Sequence, residues 1–407
     1  MVQITRNSLY LTLEKGAHLL GAMILMVLVA RMLGEGALSG YAYAMGLTAF
    51  FVPILDAGLN NRIIRTVAEN GPEATRASGD AVSYRLTVAL PVLVTMILCT
   101  VLSPESRGLL AVVALVGAST VVMGLGDSFN SVIKGRQCSE FSALLVFGMN
   151  TVLVLGSFWA MSLGMGLTAL GACYLVSRSL YLGAGVCTVQ IIARAHRASF
   201  GLGISRQHVL EGIFHLPAVY FLGNLLHIGY ITTYLNSDPI QSDAYAVGYR
   251  VAAALFILTG ASMEAILPAL TVGQGNSDNF RNTVKKLFWS HATVSLLGVA
   301  VIHVLAARIV PLVLGDAFAA AEGPIRLIAL CVPVFTVCAL AHTVLLACGQ
   351  QKVATIWMLA LLITGAVLGF VGAAFWGAVG TALASVLTAC IFGVVLWEIV
   401  RRQIRTD

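Results

Sequence analysis

The sequence predicts an all-α polytopic membrane protein, with twelve transmembrane helices in two six-helix lobes. The first observation is composition. Of 407 residues, 58% are hydrophobic and 10% are charged, and mean hydropathy is +0.91. A water-soluble chain of this length needs a charged surface that these residues cannot furnish. The second is spacing: apolar stretches follow one another from Leu9 to Val400 with little between them. Each is about as long as the roughly 20 residues that cross some 30 Å of hydrocarbon. Helices are the form they take, because a helix satisfies its own backbone donors and acceptors where no water is at hand. The third is the placement of positive charge along the connections.

Taken in order, the spans are Leu9–Ala30, Tyr41–Leu59, Val82–Leu102, Leu109–Ser131, Phe141–Leu163 and Leu167–Ile192, then Val209–Leu235, Ala244–Leu270, Leu287–Val304, Leu327–Ala347, Ala354–Phe375 and Ala378–Val400. The odd-numbered connections hold only Arg31, Arg107 and Arg308. The termini and even-numbered connections hold sixteen cations: Arg6; Arg62, Arg65 and Arg76; Lys134 and Arg136; Arg194, Arg197 and Arg206; Arg281, Lys285 and Lys286; Lys352; Arg401, Arg402 and Arg405. Cytoplasmic loops carry the excess of Lys and Arg, so both termini face the cytoplasm and the number of spans is even. Trp159, Trp289, Trp357, Trp376 and Trp397 all fall near span ends, where aromatic belts form. Reporter fusions at positions 36, 105, 164, 238 and 318 should report the periplasm, and those at 72, 137, 200, 280 and 350 the cytoplasm. One inverted set would break this topology.

The chain divides near residue 200, at the basic connection Arg194–Gln207, into lobes 1–200 and 201–407. Ala42-Tyr43-Ala44-Met45-Gly46 recurs as Ala244-Tyr245-Ala246-Val247-Gly248, an offset of half the chain, and Gly58 meets Gly260 at the same offset. With six spans each, both halves insert the same way and are related by an axis along the membrane normal, which places the substrate path between them.

Several classes are excluded. No GxxxxGK[ST] phosphate loop occurs, and Gly124–Gly135 lacks its Lys-Ser/Thr end. No HExxH, GxSxG or paired-carboxylate arrangement offers hydrolytic chemistry, so the chain reads as a non-enzyme. The eight Cys show no CxxC or Cys/His ligand spacing and read as small packing residues, with no metal and no cofactor implied. The net charge of +6 follows from topology and needs no nucleic acid. The N-terminus shows no signal-peptide cleavage pattern. Secondary transporter or flippase, membrane-embedded transferase and scaffold subunit remain. The transporter leads, because no connection is large enough to carry a transferase's catalytic carboxylates.

Leu28-Val29-Ala30-Arg31-Met32-Leu33-Gly34, then Gly40-Tyr41-Ala42-Tyr43, then Leu55-Asp56-Ala57-Gly58-Leu59 with Asn61, Arg62 and Arg65, form an ordered set of short motifs. Tyr245 to Arg250, Val310–Gly315 with Phe318, Leu346–Gln350 and Gly377–Ala384 continue it through the second half. In this order they resemble the lipid-linked oligosaccharide flippase family of the multidrug/oligosaccharidyl-lipid/polysaccharide exporter superfamily. The chain lacks the two accessory C-terminal spans of some relatives. The resemblance implies two lobes forming a V around a central cavity that opens alternately to each side of a bacterial cytoplasmic (inner) membrane. It implies an undecaprenyl-pyrophosphate-linked oligosaccharide as cargo, for O-antigen, capsule or exopolysaccharide assembly. A polysaccharide polymerase and other assembly proteins are then partners, beside the bilayer itself. The alternatives are a cation-coupled multidrug exporter of the same superfamily and a non-transporting scaffold of a polysaccharide synthesis complex. A drug exporter needs a buried acid, whereas the deepest ionisable residue of the first lobe reads as Arg178.

A pyrophosphate calls for buried cations, and the charges inside the spans are the candidates. Arg178 lies about twelve residues into span 6, near mid-bilayer at ~1.5 Å per residue. It is either a cavity cation or half of an ion pair with another span. Arg250 sits in span 8 at the position matching the family motif; it either faces cargo or snorkels to the periplasmic face. Lys15 lies beside Glu14 in span 1, as a cargo contact or a local pair. Arg85 and Arg326 begin their spans and read as interface anchors. Asn224 and His227 in span 7 suit sugar hydroxyls or interhelical packing. Glu211 with His215, and Glu14 with His18, are spaced i, i+4 and can relay protons or brace their helices. Asp56, Asp127 and Glu264 read as partners of Arg62, Lys134 and the Lys286 loop. Pro53, Pro91, Pro217, Pro268 and Pro333 are candidate kinks. Gly365 and Gly369 read as a close-packing face. The mechanism implied is alternating access reset by an ion gradient, with Arg178 and Arg250 holding the pyrophosphate from opposite lobes.

Overall fold

The computed structural model describes residues 2–34, 36–68, 74–194, 224–253, 270, 277–315, 318, 321–348 and 350–406. Among the described residues the regular structure is helical throughout. In chain order the helices are α1 (Val2–Leu33), α2 (Ala37–Asp56), α3 (Leu59–Ala68), α4 (Ala74–Leu102), α5 (Leu110–Gly135), α6 (Ser139–Ser162) and α7 (Leu167–Arg194). Then come α8 (224–236), α9 (239–253), α10 (Ser277–Leu314), α11 (Glu322–Ala329), α12 (Cys331–Ala347) and α13 (Gln351–Thr406). Nine described segments are long and apolar enough to cross a membrane. The last, Ile356–Arg402, contains both expected spans 11 and 12. They are separated at Trp376 and Gly377, where the backbone leaves the helical region. Span 10 is built from α11 and α12, and α8 and α9 are the described parts of spans 7 and 8. Large side chains such as Leu90, Leu144, Val304, Phe375 and Val394 stand exposed along these helices. Lipid is the solvent in which that exposure carries no cost.

The chain forms two compact units. The first comprises Met1–Leu33 and Leu47–Leu216; the second comprises Gly34–Gly46 and Pro217–Asp407. Helix α2 is thus shared, its first turns belonging to the second unit and its remainder to the first. In the first unit α5 is the central helix, packed chiefly on α7, α4 and α3, while α1 packs on α6. In the second, α12 packs on α13 and α10, and α11 on α13 and α10.

Helix α3 follows a sharp break at Ala57 and Gly58, both at positive φ. Leu59, Ile63 and Val67 fall on one face of it and are buried with Ala57, Ala81 and Tyr84, leaving Arg65 exposed. The Arg-bearing connection expected after span 2 is therefore a docked amphipathic helix. The glycines of the internal repeat serve the same purpose at both places. A Cβ on Gly46 would lie 3.2 Å from the His227 carbonyl oxygen, and one on Gly248 3.2 Å from the backbone of Ile325. Each lets a neighbouring helix backbone approach. Gly365 does the same for the Leu225 side chain, as expected of a close-packing face.

Candidate functional site

Polar residues of α5 recur at helical spacing: the buried Ser119 and Thr120, then the half-buried Asp127 with buried Ser128, then buried Ser131 and half-buried Lys134. Between them they are bonded to α7, α4, α3 and α1, so together they make a polar ladder through the first unit. At one end, the Arg178 guanidinium of α7 donates to Ser119 Oγ and Thr120 Oγ1, both at 2.9 Å, and lies 4.9 Å from the Tyr174 ring centroid. Arg178 is only 8% exposed. One rung on, Tyr181 Oη donates to Asp127 Oδ1 at 2.9 Å. Further along, Ser131 Oγ donates to Asn60 Oδ1, and Lys134 Nζ lies 2.7 Å from Glu14 Oε1 in an ion pair. Ser142 of α6 donates to the second Glu14 oxygen at 2.8 Å. His18, one turn beyond Glu14, lies within electrostatic reach of Arg178, Glu14 and Lys134. Lys15, next to Glu14 on α1, is half-buried.

Beside the ladder sits Arg85, fully buried at 0% exposure. Its Nε donates to the Leu55 carbonyl at 3.1 Å, and one terminal nitrogen to Asp56 Oδ1 at 2.8 Å and Asn60 Oδ1 at 2.9 Å. The other donates to Ser128 Oγ. The neighbouring Tyr84 hydroxyl donates to the Ile54 carbonyl at 2.9 Å. Two consecutive residues of α4 therefore take up the orphan carbonyls at the end of α2, where a cation also meets the negative end of the helix dipole.

These contacts correct several expectations. Arg85 is not an interface anchor, and Asp56 is its partner rather than that of Arg62. Glu14 pairs with Lys134 across 120 residues, so Asp127 is left to the Tyr181 hydroxyl instead of Lys134. Arg326 does sit at the start of its span, in an i, i+4 pair with Glu322 at 2.7 Å.

In the second unit, α8, α9 and the first turns of α2 build an aromatic cluster. Tyr249 Oη and His227 Nε2 are hydrogen-bonded at 3.1 Å, while His227 Nδ1 is buried without a hydrogen-bond partner. Tyr230 packs edge-on against Tyr249 and Tyr245, with centroids 4.7 and 5.8 Å away. The half-buried Arg250 lies 5.8 Å from the Tyr41 ring centroid, a cation–π arrangement. Asn224 is buried one turn before His227. Arg250, His227 and Asn224 thus share one region of this unit, as Arg178, Glu14 and His18 share the ladder of the other. Glu211 and His215 lie outside the described residues, as do Glu264, Pro217 and Pro268. The sequence reading missed Tyr181, Asp127 and the tyrosine cluster as site residues. The helical recurrence of Thr120, Asp127 with Ser128, and Ser131 within one apolar span was the signal available for Asp127.

No family model matches the chain, and no curated protein matches it. Solved structures do. The chain is similar to the inward-facing conformation of a multidrug resistance MATE family transporter of the MOP superfamily, with TM-score 0.74 and 12% identity over 95% of this chain and 96% of that one. It is similar to a variant of a MATE transporter from Vibrio cholerae, with TM-score 0.68 and 15% identity over 100% and 99% of the two chains. It is also similar to a MOP superfamily transporter from Pyrococcus furiosus, whose binding pocket of reverse polarity is reported to suggest a different function. That match has TM-score 0.62 and 15% identity over 99% and 95%. At these identities the likeness establishes the fold: an all-α membrane protein with the twelve-helix, two-lobe architecture of such transporters.

Proposed function

We propose that this chain is a secondary transporter of the cytoplasmic membrane, exporting an amphiphilic cargo by alternating access at the expense of an ion gradient. The observation that carries the reading is the match of nearly the whole chain to multidrug transporters of the same fold. A cation-coupled multidrug exporter is accordingly the first cargo reading, and Asp127 supplies the acid that such a protein needs. It is held by a neutral hydroxyl, whereas Glu14 and Asp56 are each clamped by a cation. Asp127 is therefore the acid of the ladder best able to exchange a proton or small cation. Glu14 with His18, and Glu211 with His215, are secondary coupling candidates.

The second cargo reading is a lipid-linked oligosaccharide, such as an undecaprenyl-pyrophosphate-linked unit turned over for surface polysaccharide assembly. Arg178 supports it. A buried guanidinium set among hydroxyls and an aromatic ring suits an anion, and pocket polarity is the property reported as reversed in the Pyrococcus furiosus transporter. Arg250, Lys15, Asn224 and His227 are the further cargo contacts under this reading, and the polymerase partner belongs to it. The lobes are proposed as 1–200 and 201–407, with both termini cytoplasmic. The matching roles of Gly46 and Gly248 support the repeat.

Arg178→Ala separates the two cargoes. Ser119 Oγ and Thr120 Oγ1 each also donate to the Val116 carbonyl, so neither hydroxyl loses its acceptor when the arginine goes. The variant should insert and fold normally. In cells lacking the native gene, loss of surface polysaccharide with unchanged drug susceptibility identifies the flippase. Complementation of drug resistance by both wild type and the variant, with polysaccharide unaffected by gene deletion, identifies the multidrug exporter. A deletion strain unchanged in both assays would overturn the transporter reading.

A further inference from the structure

Residues 238–243, at the start of α9, supply capping groups to three helix N-termini. Asp238 caps α9 itself: its Oδ1 accepts from the Gln241 N–H at 2.8 Å, and Pro239 stands at the first helical position. The Gln241 side chain accepts from the Ala378 N–H at 3.0 Å, which caps the second half of α13 just beyond its break at Gly377. Asp243, 1% exposed, accepts from the N–H groups of Gly36 at 2.7 Å and Ser39 at 2.5 Å, at the start of α2. A helix N-terminus presents four orphan donors and a partial positive charge, and a carboxylate there makes charge-assisted hydrogen bonds. Helix α2 has no acid of its own in its first turn. Its Ser39 hydroxyl is turned back to the Gly36 carbonyl at 2.9 Å, so the acidic cap comes from more than 200 residues away. The order of the α2 N-terminus therefore depends on where α9 is.

We propose that Asp243 is a positioning residue of the transport cycle: it latches the first turns of α2 to α9, and the latch opens and recloses in each cycle. The role in transport rests on the transporter reading above; the latch itself does not. Three observations support a reversible contact over a permanent one. Helix α2 crosses from the compact unit that holds α9, with Gly34–Gly46, into the other, with Leu47 onward, so any motion of the rest of α2 is transmitted to the latch. The division falls at Gly46, where the absent side chain lets α8 approach. Donors and acceptor are also polar, so they can exchange each other for water, whereas an apolar seam such as Leu225 against Gly365 has no alternative partner.

Hydrogen exchange on the full-length protein in nanodiscs tests the latch. In Asp243→Asn the amide keeps one acceptor and loses the charge, so peptides covering residues 36–43 should exchange at least tenfold faster. Peptides from α5 should be unchanged. Gly36→Ala should reproduce the pattern by a different route, since its φ of +78° strains any other residue and displaces the N–H while leaving Asp243 intact. Ser39→Ala keeps the N–H and should exchange like wild type. Exchange at 36–43 that is unaltered in both Asp243→Asn and Gly36→Ala, or raised equally across all peptides, overturns the latch. With the latch present, an Asp243→Asn protein that exports its cargo at the wild-type rate overturns its role in the cycle. A wild-type protein that exports nothing speaks instead against the transporter reading, and the exchange result still decides whether the latch exists.

Discussion

Asp127→Asn should abolish gradient-driven export, by at least a hundredfold, in a protein that still folds and inserts. The amide is isosteric with the carboxylate and its oxygen can still accept from Tyr181 Oη, now 2.9 Å away. The packing around α5 and α7 is then preserved, and the stability change should stay within about 1 kcal/mol, the worth of one ordinary hydrogen bond. What is lost is the capacity to bind and release a proton or metal cation. Replacing Tyr181 by Phe removes only the hydrogen bond, so export should fall no more than about tenfold, again the worth of one such bond. The measurement is uptake of a fluorescent cargo into proteoliposomes under an imposed proton or sodium gradient, with cargo exchange at zero gradient as the control. An Asn variant that loses driven transport but keeps exchange places coupling at Asp127. Driven transport at the wild-type rate removes Asp127 from the coupling path and returns attention to Glu14 with His18.

The sequence reading and the structure part company at particular residues for particular reasons. Hydropathy located the spans because twenty apolar residues in a row carry a signal that needs no tertiary context; α4 to α7 fall where spans 3 to 6 were expected. The break between spans 11 and 12 at Trp376 and Gly377 was equally local. Partnerships were not legible. Arg85 looked like a snorkelling cation because sequence gives its depth but not the carbonyls of α2, which are brought to it from some thirty residues away. Asp127 was assigned to Lys134 because it falls near a cytoplasmic span end, beside the connection that holds the lysine. Helical geometry does place them on the same face, but Glu14 of α1 reaches the lysine first. The docking of α3 was half visible, since Leu59, Ile63 and Val67 recur at spacing four, yet so short an amphipathic stretch is hard to distinguish from a loop until something packs on it. Asp243 carried no local sign at all. The groups it caps on α2 are backbone amides, which every sequence has.

Arg85→Ala should be the most destabilising single change in the first unit, costing about 3 kcal/mol or more. Arg85 bonds three separate elements, the end of α2, the start of α3 and the later turns of α5, and of its partners Asn60 Oδ1 keeps a second donor in Ser131 Oγ. Its removal strands the Leu55 carbonyl and leaves Asp56 without its cation; Asp56 is 31% exposed, so water recovers part of the loss and the lower end of the range applies. Lysine keeps the charge but offers a single nitrogen in place of a fork, so it can serve one or two of the four acceptors and should recover under half of the lost stability. Removing both charges should be less harmful than removing one: Arg85→Leu with Asp56→Leu should melt above Arg85→Leu alone, because the acid is no longer left without its partner. Thermal unfolding in detergent, followed by size-exclusion fluorescence, reads all four variants, and a drop of about 5 °C or more is expected for Arg85→Ala. If Arg85→Ala melts within a degree of wild type, or lysine restores it fully, the hydrogen-bonded fork is not what holds the break between α2 and α3. The apolar face of α3, packed on Ala81 and Tyr84, would then be sufficient to hold that break by itself.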